Sequence, residues 1–156
     1  PNATLYFEDA LTMQYQVQEM LRLERMFEPE AIQEELDVYN PLIPDGSNWK
    51  ATFMVEYPNE DERKRALAKL IGIEKAIWVQ VADFDRVYAI ADEDLEREND
   101  EKTSAVHFLR FELSAPMCKA VKSGSAIHMA IDHANYQHQL TPVPQATRDA
   151  LAKDLA

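Results

Sequence analysis

The hydrophobic pattern of the chain changes repeatedly between the strand period of two residues and the helix period of about 3.6 residues. Residues 49–57 alternate most cleanly, with Trp49, Phe53 and Val55 on the apolar side and Lys50 on the polar side. The same reasoning predicts strands at 3–8, 75–82, 86–91, 103–113, 125–133 and 136–140, helices at 9–27, 29–39, 60–71 and 145–155, and a short helix capped by Ser114 that ends near Gly124.

The order of these elements predicts an α+β fold. Consecutive strands with short connections favour antiparallel pairing, and the hairpin of 75–82 with 86–91 is the strongest example. We expect a mainly antiparallel sheet of at least five strands with the helices, including the first and the third, packed on one face. The acidic residues 92–101 are interpreted as a solvated loop or a frayed helical turn. No linker rich in glycine or serine divides residues 1–156, so we predict a single domain.

Charge and composition exclude several classes of protein. The chain has 16 Lys and Arg against 28 Asp and Glu, a formal net charge of −12, which disfavours a nucleic acid as partner. Uninterrupted apolar runs are far shorter than the roughly 20 residues of a spanning helix, so we expect no membrane insertion. The single cysteine excludes an intramolecular disulfide, and we expect a cytoplasmic protein.

Motifs for common catalytic chemistries are absent. The sequence has no H-E-x-x-H, no G-x-S-x-G and no Glu-x-x-His pair, and no motif implies a cofactor. Cys118 lies near a helix start, where backbone N–H groups can lower a thiol pKa, but a buried packing role is the alternative. His133 and His138 are candidate metal ligands if the chain bends near Asn135. The alternative is that they are ordinary strand-end or surface histidines.

One carboxylate falls within the predicted apolar stripe of the first helix. At 100° per residue, Glu24 lies between Val17 and Met20, and a buried carboxylate needs a partner. His107 lies on the apolar side of the longest predicted strand, so Glu24 and His107 form a candidate ligand-binding site if the helix packs there. Arg63 is the alternative partner of Glu24, and it would make the pair a structural one.

Long blocks of the chain, among them LYFEDALTMQYQVQEMLRLERMF and EKTSAVHFLRFEL, resemble an uncharacterised bacterial family, one of the domains of unknown function. The resemblance covers nearly the whole chain, although His128 departs from the family pattern. It implies a basic N-terminal lead-in segment before Pro1. It also implies genes encoded beside rubrerythrin and a heterodisulfide-reductase-like iron–sulfur oxidoreductase, and hence a redox-protein partner.

Two functions of different classes follow. The first is an accessory or interaction protein of that redox system with no catalytic activity of its own, and its acidic surface suits docking to a basic partner. The second is a small metal- or ligand-binding enzyme that uses a buried glutamate and histidines. The sequence leaves open whether the protein is an enzyme, whether it binds a cofactor, and its oligomeric state.

Overall fold

A computed structural model describes residues 2–25, 27–91 and 105–155 of the chain. The acidic segment predicted as a loop or frayed turn, residues 92–101, lies outside these residues. In chain order, the elements are β1 (Ala3–Glu8), α1 (Ala10–Leu23), α2 (Pro29–Tyr39), β2 (Asn48–Val55), α3 (Glu60–Lys69), β3 (Ile77–Val81), β4 (Val87–Tyr88), β5 (Val106–Glu112), α4 (Ala115–Lys122), β6 (Ile127–His133), β7 (Tyr136–Leu140) and α5 (Gln145–Lys153).

Side chains at the helix starts explain where three of the helices begin. The Asp9 carboxylate accepts the Thr12 backbone N–H at 2.8 Å, and the Thr12 hydroxyl accepts the Asp9 N–H, which closes a capping box. Asn59 accepts the backbone N–H of Glu62 at the start of α3, and the Ser114 hydroxyl caps α4. These contacts satisfy backbone donors that the first turn leaves without intrahelical partners.

The strands form two antiparallel sheets. The first sheet has the order β1-β2-β5 and the second has the order β4-β3-β6-β7. Beyond β4 the backbone continues to Ile90, which exchanges two hydrogen bonds of 2.8 and 2.9 Å with Arg110 of the first sheet. The α+β class and the antiparallel pairing are confirmed, including the β3–β4 hairpin. The strands form two linked sheets, however, where the sequence predicted one.

One hydrophobic core fills the space that the two sheets share. It contains the apolar sides of β2, β3, β5 and β6 together with Leu67 of α3, the C-cap Leu70 of that helix, Val121 of α4 and Leu151 of α5. The contribution of the third helix to the core confirms its predicted packing. Met13 and Val17 of α1 are also buried but lie outside this core, and α2 buries none of its described side chains. The helices therefore contribute unequally: α3, α4 and α5 place side chains in the core, and α1 and α2 place none of their described side chains there.

None of the helices in the described ranges combines the length and the apolar character that a bilayer crossing requires.

Candidate functional site

Glu24, predicted to be buried in the apolar stripe of α1, is exposed at the end of that helix. The helix ends at Leu23, so Glu24 is its C-cap, and Arg25 follows with a left-handed φ of 52°. The Glu24 N–H still bonds to the Met20 carbonyl, so the helical phase holds at Glu24, but the apolar stripe of α1 is buried only at Met13 and Val17. The prediction of burial is wrong. Within the described residues, no hydrogen bond or ion pair joins Glu24 to His107 or to the half-buried Arg63.

His107 is buried beside a different carboxylate. Its side chain lies on the core side of β5, and its Nε2 is 3.9 Å from Oε2 of Glu74. Glu74 belongs to a 3-10 turn, Ile73–Lys75, between α3 and β3, and it is only 4% exposed. Sequence reasoning missed Glu74, although the run IGIEKAIW places this one acid among apolar residues. The predicted combination of buried glutamate and His107 therefore exists, with Glu74 in place of Glu24.

The Glu74–His107 contact has the length of an ion pair and exceeds that of a direct hydrogen bond. The imidazole is charged only when it is protonated. Two opposite charges taken out of water stabilise each other, whereas removal of one partner leaves a costly buried charge. The pair is thus a buried acid–base couple at the edge of the hydrophobic core.

His133 fixes the β6–β7 turn against the end of α3. Its Nδ1 accepts the Asn135 backbone N–H at 3.0 Å, which leaves Nε2 as the donor to the Ile71 carbonyl at 2.8 Å. The Asn135 side chain adds a second tie by donating to the Lys69 carbonyl at 2.8 Å. Both ring nitrogens of His133 are therefore engaged, and metal binding would have to break one of these bonds.

His138 lies on β7, opposite Ile131 of β6. It therefore shares a sheet face with His133, on the neighbouring strand and displaced by two residues. The described part of the chain holds no cluster of three or more His, Cys, Asp or Glu side chains suited to a metal ion. The metal role of His133 and His138 stays a prediction.

His138 instead lines a cleft between the two end strands β1 and β7. The cleft has a volume of about 280 Å³, and its walls come from both sheets and from the start of α5. Its floor includes the core residues Phe53 and Ile77, which are 1% and 2% exposed. The cleft therefore opens the shared core toward the surface along the edge where the two sheets do not pair.

The α1–α2 hairpin displays a second unusual surface. Leu11, Tyr15, Leu23, Phe27 and Val38 are between 62% and 80% exposed. They are five of the eight large apolar side chains most exposed in the described residues. We call these five residues the hairpin surface. Exposed apolar side chains concentrated on one helical hairpin are typical of contact sites for other molecules.

Cys118 is buried, and it belongs to the hydrophobic core. Burial raises the pKa of its thiol above the ordinary value, an effect larger than that of the neighbouring backbone and of Lys122. A raised pKa leaves little thiolate at neutral pH, which is the opposite of an activated nucleophile. The packing role considered for Cys118 is the one that the structure supports.

His128 and Trp78 lie on the side of the second sheet that faces away from the core. The register of β3 with β6 places His128 opposite Gln80 and Trp78 opposite Ala130. In the described structure, Nδ1 of His128 and Nε1 of Trp78 are buried without a hydrogen-bond partner. The guanidinium of Arg86 lies 4.3 Å from the centre of the Trp78 ring, a cation–π distance.

Comparison with known families shows which family the chain belongs to. A family model described as "Protein of unknown function (DUF3501)" matches residues 1–155. The chain belongs to the DUF3501 family. This match confirms the resemblance to a family of unknown function, and it does not address the gene neighbours that the resemblance implies.

A crystal structure of similar fold comes from Burkholderia pseudomallei K96243, where it is described as a novel protein of unknown function. The two chains are 48% identical, with a TM-score of 0.93. The match covers 100% of this chain and 81% of the Burkholderia chain. No curated protein matches this DUF3501 chain. The fold of this chain therefore has an experimentally determined counterpart.

Proposed function

We propose that this DUF3501 protein is an accessory protein that docks onto a partner protein through the hairpin surface. The partner class that the family resemblance implies is a redox protein, either rubrerythrin or a heterodisulfide-reductase-like iron–sulfur oxidoreductase. The observation that carries the docking role is the exposure of Leu11, Tyr15, Leu23, Phe27 and Val38 on one hairpin.

The two apolar sides of α1 support this proposal. Met13 and Val17 lie on one side of the helix and are 5% and 7% exposed. Leu11 and Tyr15 are one turn apart on the other side, about half a turn away from Met13 around the helix. One apolar side is enough to hold α1 on the body of the protein, and the second remains available to a partner.

The charge of α2 indicates what kind of partner surface would fit. This helix carries four acidic residues and no basic one. A basic rim around an apolar centre on the partner would complement it, and opposite charges would increase the association rate. We therefore expect association to slow as salt is added, because salt screens exposed charges.

Biolayer interferometry with each purified redox protein tests the proposal. Replacing Leu23 and Phe27 together by serine should weaken binding at least tenfold, because both side chains are exposed in the free protein and buried in the complex. Tyr88→Ser is the matched control, since Tyr88 is 48% exposed on β4, away from the hairpin. The docking proposal fails if the double variant and the control bind equally well, and the redox assignment fails if neither protein binds.

A second candidate function, a small metal- or ligand-binding enzyme, is favoured by the buried Glu74–His107 pair. Buried acid–base couples are concentrated at functional sites, although structural pairs share this property. Metal analysis of the purified protein and of a His107→Gln variant tests this function. A stoichiometric metal that is lost in the variant, with the fold retained, would support it, and a metal content that His107→Gln leaves unchanged would count against it.

A further inference from the structure

We propose that the cleft between β1 and β7 binds a small molecule with an alkyl or aryl chain and one hydrogen-bonding head group. The site is separate from the hairpin surface, and the proposal does not depend on the docking function. It rests on the composition of the cleft walls, on the size of the cleft and on the position of its two polar side chains.

The walls of the cleft are almost entirely apolar. β1 contributes Leu5 and Phe7, β6 contributes Met129 and Ile131, and Val143 lies before α5. Binding sites for small molecules are lined mainly by apolar side chains with a few polar groups that orient the ligand. A carbon chain that enters the cleft would exchange contact with water for contact with these side chains, which is favourable.

The opening exists because the sheets are not closed. β1 and β7 are the end strands of their sheets, and no strand pairs across the gap between them in the described residues. Phe53 and Ile77, from different sheets, form the floor of this gap. A ligand would therefore contact both sheets at once and would stabilise their relative arrangement.

The size of the cleft selects the class of occupant. A volume of about 280 Å³ lies just below the range for sites of drug-sized ligands, which begins at roughly 300 Å³. Such a volume suits a short chain or a single aromatic group. A complete additional β-strand with its side chains would need more room, so we favour a small molecule over a peptide.

Two polar side chains would hold the head group. His138 of β7 and Thr147 of α5 are the side chains with hydrogen-bonding atoms among those that line the cleft. His138 is exposed and Thr147 is half-buried, so both lie toward the open side while the floor is apolar. This arrangement places the head group at the mouth and the carbon chain inside.

Titration of methyl-labelled protein with octanoate and with 1-octanol tests the site by NMR. We expect saturable shifts of methyl groups in Leu5, Met129 and Ile131, with no comparable shift in Leu11 or Leu23 of the hairpin surface. The two probes share the chain and differ in the head group, so their relative affinities distinguish an acid site from an alcohol site. The absence of saturable shifts with both probes, or shifts concentrated at the hairpin surface, would overturn the proposal.

Two cleft-filling variants provide an independent check. Thr147→Phe and Ala3→Phe fill the cleft from two different elements, α5 and β1, and each should weaken binding of the tighter probe at least tenfold. Ala146→Phe is the matched control, because Ala146 is the exposed neighbour of Thr147 and does not line the cleft; it should change the affinity less than twofold. Unchanged binding in a folded filling variant would overturn the assignment. If both filling variants fail to fold, the methyl shifts of the unaltered protein decide the question.

The role of His138 has its own test. His138→Phe removes the ring nitrogens at an exposed position, and we expect at least a threefold loss of affinity for octanoate or for 1-octanol. If His138→Phe leaves the affinity for octanoate and the affinity for 1-octanol both unchanged, His138 does not hold the head group.

Discussion

The most informative single substitution is Asp154→Asn at the end of α5. Asp154 is the C-cap of this helix, and burial, with a smaller effect of the nearby Asp9 carboxylate, raises its pKa from 3.8 to about 6. A negative charge at a helix C-terminus is also unfavourable because of the helix dipole. The folded protein therefore favours the protonated form of Asp154, and ionisation of this group destabilises the fold.

The sign and size of the effect follow from this pKa. A pKa raised in the folded state gives a contribution to stability that is complete at low pH and is lost as the pH rises through about 6. A tenfold change in a protonation equilibrium corresponds to about 1.4 kcal/mol. Ionisation of a fully buried carboxyl with this pKa would therefore lower the free energy of unfolding by about 3 kcal/mol at neutral pH. Because Asp154 is only partly buried, solvent screening reduces the expected cost to about 1–2 kcal/mol.

Urea unfolding at pH 7.5 and at pH 4 measures this effect. Asp154→Asn should raise the free energy of unfolding by about 1–2 kcal/mol at pH 7.5, and the gain should nearly vanish at pH 4, where the native carboxyl is protonated. Asp85→Asn, which removes the same charge at an exposed position, is the control. Its free energy of unfolding should stay within about 0.5 kcal/mol of that of the unaltered protein at both pH values. A gain of equal size at both pH values would refute the reasoning, and so would a loss of stability at pH 7.5.

Three further substitutions or reactions test other parts of the structure. Glu24→Gln should change the free energy of unfolding, measured in urea, by less than about 0.5 kcal/mol, because Glu24 is exposed. A loss of several kcal/mol would mean that Glu24 is buried and paired, as the sequence predicted. The Cys118 thiol, whose pKa burial raises, should react with a disulfide reagent far more slowly in the folded protein than in urea, and equal rates would contradict its burial. Arg148→Met should lower stability by about 2–4 kcal/mol, because Arg148 donates to the carbonyls of Val121 and Ser125; a loss below about 1 kcal/mol would mean that water replaces it.

The sequence by itself determined the elements and the fold class, because periodicity and capping act over a few residues. The alternation in β2 placed Trp49, Phe53 and Val55 in the core, where each is at most 4% exposed. Ser114 was predicted as a helix cap, and its side chain accepts the expected backbone N–H. The chain also carried enough family-specific sequence to predict membership of a family of unknown function.

Only the tertiary structure decided which elements meet and how much of α1 is covered. The wheel placed Glu24 with Met20 in the apolar stripe, but the stripe is buried only at Met13 and Val17, and Met20 is half-buried. The partner of His107 proved to be Glu74, 33 residues distant in sequence, and no local pattern encodes such a contact. The division into two sheets and the cleft between β1 and β7 likewise depend on long-range pairing. Periodicity shows which side of a strand is apolar, but it does not show which strand lies beside it.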